Sequence, residues 1–146
     1  MMFTRLSLDL PEDFALLPMV RHVVRQVLIS FHVSQQDTDD VELLVGELTA
    51  NAARHAHSGL DYRIEVEIRD DLAVIVVSDR GQGFSWVDIA PPGTIRADKR
   101  DSDISERFGG WGIPIIEGLA DRVEYCSNKP HGTTARVEKR LTIASP

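Results

Sequence analysis

Apolar and polar residues alternate from the first turn of the chain, and Phe3-Thr4-Arg5-Leu6-Ser7-Leu8-Asp9-Leu10 reads as a strand. The period changes at Pro18. Val20, Val23, Val24, Val27, Leu28 and Phe31 recur at helical spacing, with Pro18 suited to a first turn. Ser34-Gln35-Gln36-Asp37 is a polar break. Asp37 is expected to cap a second helix, with Thr38, Asp39 and Asp40 in an acidic first turn. Val41, Leu44, Val45, Leu48 and Ala52 mark its buried face, and Ser58-Gly59 stops it after about His55.

The second half turns to strands. Tyr62–Arg69 places Ile64, Val66 and Ile68 on one face and Arg63, Glu65, Glu67 and Arg69 on the other. Asp70-Asp71 is a two-residue turn into the nearly continuous apolar run 72–77, a central strand paired to the first as a hairpin. Residues 81–110 carry glycines, prolines and mixed charge without sustained periodicity, the mark of either a lid or an element the pattern fails to reveal. A helix over 111–119 follows, then a closing strand pair, 122–127 with 133–142. The layout is α+β, with helices on one face of a sheet.

Composition narrows the function. The 146 residues fit one domain, expected to span 1–146. Lys and Arg number 16 against 23 Asp and Glu, for a net charge of −7, which argues against a nucleic-acid partner. No run approaches a membrane span of roughly 20 apolar residues, and Met1–Asp9 lacks the features of a signal peptide, so a cytoplasmic location is expected. Cys126 is the single cysteine, expected in the core.

Four features carry candidate chemistry. Glu47, Asn51 and His55 are spaced i, i+4, i+8 and share one side of the second helix, bordering its apolar stripe. That is where a cleft wall needs polar groups, although a solvated face has the same spacing. Asp79-Arg80-Gly81-Gln82-Gly83 follows a buried strand. Asp79 can accept hydrogen bonds from a ligand amino group, and Gly81 and Gly83 permit tight turns beside a flat ring; ordinary turns favour the same residues. Gly110-Trp111-Gly112 leads into an apolar helix whose free N–H groups suit phosphate oxygens, or serves only as a hinge. It is neither a P-loop nor a Rossmann fingerprint. Gly132-Thr133 precedes the last strand. His55 and His57, at i and i+2, do not face one another and are read as non-ligands of a metal.

In this order, Glu47-x-x-x-Asn51, Asp79-x-Gly81-x-Gly83, Gly110-x-Gly112 and Gly132-Thr133 resemble the GHKL (Bergerat-fold) ATP-binding superfamily. Within it the chain is similar to the anti-sigma factor serine/threonine kinases, most strongly from Glu42 to Arg140. The resemblance implies a two-layer α/β sandwich with a mixed sheet and helices on one face. It implies ATP and Mg2+ as cofactors, with Asn51 as the metal ligand and Glu47 as general base. Asp79 matches the acid that bonds the adenine amino group, Gly83 the residue that lets the chain pass the ring, and Thr133 the hydroxyl that supports it. Gly110 and Gly112 match amides that hold the polyphosphate. Arg107, just upstream, is a candidate for the γ-phosphate, and His55 for the phosphate side of the cleft. Trp111 and Pro114 depart from the family's loop–helix junction; Pro114 is tolerable in a first turn.

The partners so implied are a sigma factor, a STAS-domain anti-anti-sigma factor phosphorylated on serine, and a second copy of the chain. The apolar N-terminal strand, which needs a partner or a cover, supports a homodimer. A nucleotide-gated binding switch without phosphoryl transfer shares the same ATP contacts. A two-component histidine kinase would need a phospho-acceptor hairpin. A ligand-free α+β domain would leave four ordered motifs to coincidence.

Overall fold

The computed structural model describes residues 2–11, 13–55, 61–79, 112–127 and 133–144. Five strands form one sheet: β1 (Phe3–Leu10), β2 (Tyr62–Arg69), β3 (Leu72–Ser78), β4 (Arg122–Ser127) and β5 (Thr133–Arg140), in the order β1-β2-β3-β5-β4. A 3-10 turn (Phe14–Leu16) leads into α1 (Leu17–Ser30), followed by α2 (Gln35–His55) and, after β3, α3 (Gly112–Leu119).

Strict alternation makes the sheet two-faced. Leu10, Tyr62, Ile64, Val66, Ile68, Ala73, Ile75, Val77, Val123, Tyr125, Ala135 and Val137 point inward and are buried. α2 lies on β2 and β3, α1 packs against α2, and α3 packs against α2 and β4. Val20, Val24 and Leu28 of α1 and Val41, Leu44, Val45 and Leu48 of α2 complete a continuous core. Each such side chain contributes about 1.5–3 kcal/mol of burial. Arg25 fastens α1 to α2 by bonds of 2.8 Å to Asp39 and 2.7 Å to Glu42.

The outer face carries the charges. Arg5 reaches Glu67 at 2.8 Å, Arg63 reaches Asp9 at 2.7 Å and Arg136 reaches Glu138 at 2.6 Å. Glu67 is shared with Arg69. The run at 72–77 is central as expected, but Val74 and Val76 are only half-buried, because no helix among the described residues covers this face.

Four expectations need correction. The sheet is not mixed: all four strand pairings among the described residues are antiparallel. β4 runs in the same direction as β3, but β5 turns back into the slot between them and separates the two co-directional strands. Ser34, not Asp37, caps α2; its Oγ accepts the Asp37 N–H at 3.2 Å, so the helix starts at Gln35. β5 ends at Arg140, and Thr142 leaves the sheet to bond Ser34. Cys126 is exposed, because Val123 and Tyr125 take the inward positions of β4.

Candidate functional site

α2 packs on β2 and β3, and Asp79 and Thr133 stand where β3 finishes and β5 begins. Glu47 and Asn51 stand one turn apart on α2. Glu47 is half-buried, and Asn51 is only 5 % exposed. Neither its Oδ1 nor its Nδ2 has a hydrogen-bond partner among the described residues. A buried, unmatched amide costs about 1–3 kcal/mol unless something supplies the bonds. It sits deeper than the bordering strip expected of it, because Leu48 and Ala52 on either side dock into the core.

Asp79 follows β3 directly. Its N–H donates to the Thr133 carbonyl at 2.9 Å, which ties the candidate acid to the candidate hydroxyl residue. Thr133 opens β5 and is 6 % exposed. Beside them, the Ser78 and Thr134 hydroxyls lie 3.1 Å apart on the other face of the same two strands. This pair carries no motif of its own; the signal for it was adjacency to Asp79 and Thr133.

α3 begins at Gly112, so the expected phosphate-side amide stands at a helix start. Pro114 falls in the first turn, where an N–H has no acceptor within the helix. Ile116 seats α3 in the core. Glu117, a residue the sequence reading left without a role, is half-buried with its Oε2 lacking a partner among the described residues, and burial raises its carboxyl above the usual range. The Tyr125 hydroxyl is held well above its ordinary pKa by burial and then by Glu117.

Glu47 and Asn51 thus share α2, Asp79 and Thr133 are joined where β3 finishes and β5 begins, and Gly112 heads α3. His55 ends α2, and its side chain lies outside the described residues. Gly81, Gly83, Arg107 and Gly110 also lie outside them. Among the described residues, no cluster of three or more His, Cys, Asp or Glu side chains could hold a metal by itself. The Asn51 amide oxygen is a neutral hard donor and could hold a hard cation such as Mg2+.

A model of the histidine kinase-like ATPase domain matches residues 10–139. The chain belongs to that family. ATP use follows from the domain type. The chain is 28 % identical over 130 residues to the anti-sigma F factor of Clostridium beijerinckii, covering 82 % of this chain and 86 % of the relative. It is 27 % identical over 141 residues to the serine-protein kinase RsbW of Staphylococcus aureus, covering 93 % and 86 %. A crystal structure of the RsbU and RsbW domains of a Mycobacterium tuberculosis protein has the same fold, with a TM-score of 0.69 at 19 % identity. That match covers 97 % of this chain and 34 % of the longer one. As a histidine kinase-like ATPase domain, the chain keeps the α+β architecture of the family, with an antiparallel five-stranded sheet under its helices. Among the described residues, no helix is long and apolar enough to cross a membrane.

Proposed function

We propose that this chain is an ATP-dependent protein-serine kinase that also acts as an anti-sigma factor. It holds a sigma factor away from RNA polymerase and phosphorylates a STAS-domain antagonist on serine. The observation that carries the reading is the buried, unmatched Asn51 amide one turn from Glu47; the joining of Asp79 to Thr133 where β3 ends and β5 begins supports it. A solvated polar face would not bury that amide. The names borne by the relatives supply the target class.

In this reading Asp79 accepts from the adenine amino group, and Thr133 supports the ring. Asn51 would hold Mg2+ through its amide oxygen, and the N–H groups at the start of α3 would donate to phosphate oxygens. Bound Mg2+ would neutralise charge on the transferring phosphate. Glu47 takes the proton of the serine hydroxyl as the serine oxygen bonds the γ-phosphorus and the bond to the ADP oxygen breaks. The remaining expected contacts, His55, Gly81, Gly83, Arg107 and Gly110, complete the cleft in this proposal. The protein works in the cytoplasm as one domain. It pairs with a second copy through β1, which is an edge of the sheet and leaves Phe3 half-exposed.

Calorimetric titration with ADP and ATP, with and without Mg2+, tests the cleft. Saturable one-to-one binding lost in Asp79→Asn is expected. Phosphate transfer from ATP to a STAS-domain serine then tests the chemistry. Binding without transfer would leave a nucleotide-gated switch, and no binding to either nucleotide would remove both readings.

A further inference from the structure

The ends of β3 and β5 that carry Asp79 and Thr133 are held together twice. On the backbone, the Asp79 N–H donates to the Thr133 carbonyl at 2.9 Å. On the opposite face, the Ser78 and Thr134 hydroxyls hydrogen-bond at 3.1 Å, both side chains half-buried. Ser78 and Thr134 are direct cross-strand partners, and they are the last ladder pair before β3 leaves the sheet. Strand side chains alternate, so these hydroxyls point away from the face that Asp79 and Thr133 serve. They can influence a ligand only through the backbone.

We propose that Ser78 and Thr134 form a positioning clamp, which fixes the spacing of Asp79 and Thr133 and thereby sets the affinity and base selectivity of the nucleotide cleft. The inference rests on the nucleotide reading of that cleft. A strand end is where a sheet frays, since each residue there has fewer neighbours to hold it. Two groups that must meet one planar ring together need their separation fixed before the ligand arrives, otherwise binding has to order them. The neighbouring rows support this division of labour. The ladder at Arg63 is held from outside by its ion pair with Asp9 at 2.7 Å, whereas the step from β3 to β5 carries the hydroxyl pair. Cys126 stands opposite Thr134 on the edge strand, where an exposed thiol is a weak hydrogen-bonding group. The Ser78–Thr134 bond is thus a side-chain tie, among the described residues, across the two strands that hold Asp79 and Thr133.

The test is binding of ADP and of GDP with Mg2+, measured by calorimetry on the full chain, alongside thermal unfolding. Ser78→Ala and Thr134→Val each remove one hydroxyl with little change in shape. Each is expected to weaken ADP binding roughly three- to tenfold, the order of one hydrogen bond, and to shrink the preference for ADP over GDP. The double variant should bind no worse than the weaker single one, because both remove the same interaction. Thr134→Ser keeps the hydroxyl and should restore both affinity and preference. Unchanged ADP affinity in the variants overturns the clamp. So does a loss that tracks the melting temperature while the ADP-to-GDP ratio stays at its wild-type value. Failure of the wild-type chain to bind ADP at all is a different result, and overturns the cleft together with its clamp.

Discussion

The Asp37 carboxylate accepts the backbone N–H of Thr142 at 2.6 Å, across 105 positions of sequence. The bond belongs to a strap. Ser34 donates its N–H to the Thr142 carbonyl at 2.8 Å, Ala144 donates to the His32 carbonyl at 2.8 Å, and Val33 bridges Ile143. The last residues of the described chain therefore close over the turn between α1 and α2. Burial alone would raise the Asp37 pKa, but the Thr142 N–H, the Thr142 and Ser34 hydroxyls and nearby Lys139 together lower it. A carboxylate lowered on folding stabilises the native state above its unfolded value near 3.8. That contribution fades as pH falls from about 4 through the folded pKa. Asp37→Asn should therefore flatten the acid limb of a plot of melting temperature against pH, at a cost of about 1 kcal/mol at neutral pH. An unchanged acid limb would place the acid sensitivity elsewhere.

His32 stands at φ 59°, in the left-handed region, just past the end of α1. Its N–H donates to the Ile29 carbonyl at 3.0 Å, and the Val33 N–H to the Leu28 carbonyl at 3.1 Å. This is the helix-terminating arrangement that glycine normally fills. A Cβ there costs about 1 kcal/mol, partly offset by the greater freedom of glycine in the unfolded chain. His32→Gly should thus stabilise the protein by about 0.5 kcal/mol or slightly more, read as a small rise in urea midpoint with unchanged slope. A lower midpoint would mean that the imidazole makes contacts worth more than the strain.

The strands and helices were legible because their periods are regular. Tyr62–Arg69 alternates without a fault, and the edges of the two-residue Asp70-Asp71 turn follow from it. What the pattern could not supply is order across the sheet. Nothing in Thr133–Arg140 itself says that it lies between β3 and β4, so the expected mixed sheet came out antiparallel. Caps were equally hard to place. Ser34 and Asp37 are both good capping residues three apart, and the choice was made by Thr142, more than 100 positions away, which takes up the Asp37 carboxylate. At the proposed site, Glu47, Asn51, Asp79 and Thr133 stand in the sequence as an ordered set of motifs. The depth of Asn51 was not legible there, since it depends on how far Leu48 and Ala52 sink into the core.

Glu47 and Asp79 separate binding from chemistry. Asp79→Asn replaces an acceptor by an amide that presents a donor where the adenine amino group needs none, and should abolish measurable ADP binding. Glu47 is assigned a role only as the serine proton leaves. Glu47→Ala should therefore leave ADP affinity within about twofold of wild type while transfer to a STAS-domain serine falls by a factor of roughly 100 or more. Equal losses of binding and transfer in Glu47→Ala would make it a structural or nucleotide-holding residue instead of the base.

Asn51 sets stability against function. Its two amide atoms are buried and unmatched among the described residues, inside a helix whose neighbouring positions are apolar. An apolar side chain of similar size removes that desolvation cost of about 1–3 kcal/mol and improves helix propensity. Asn51→Leu should accordingly melt several degrees higher than wild type without nucleotide, about 2–6 °C for a domain of this size. Saturating MgADP should raise the wild-type midpoint further, by the equivalent of about 2.7 kcal/mol at a hundredfold excess over Kd, and leave the variant unmoved. Ligand should therefore close most or all of the gap between the two melting curves, and reverse their order at a sufficiently large excess over Kd. A residue kept at a cost to the empty fold, and repaid only when Mg2+ and nucleotide arrive, is what a binding group looks like energetically. If the variant melts lower than wild type in the absence of nucleotide, the amide is already satisfied within the protein, and the strongest structural support for Asn51 as the metal-side ligand is gone.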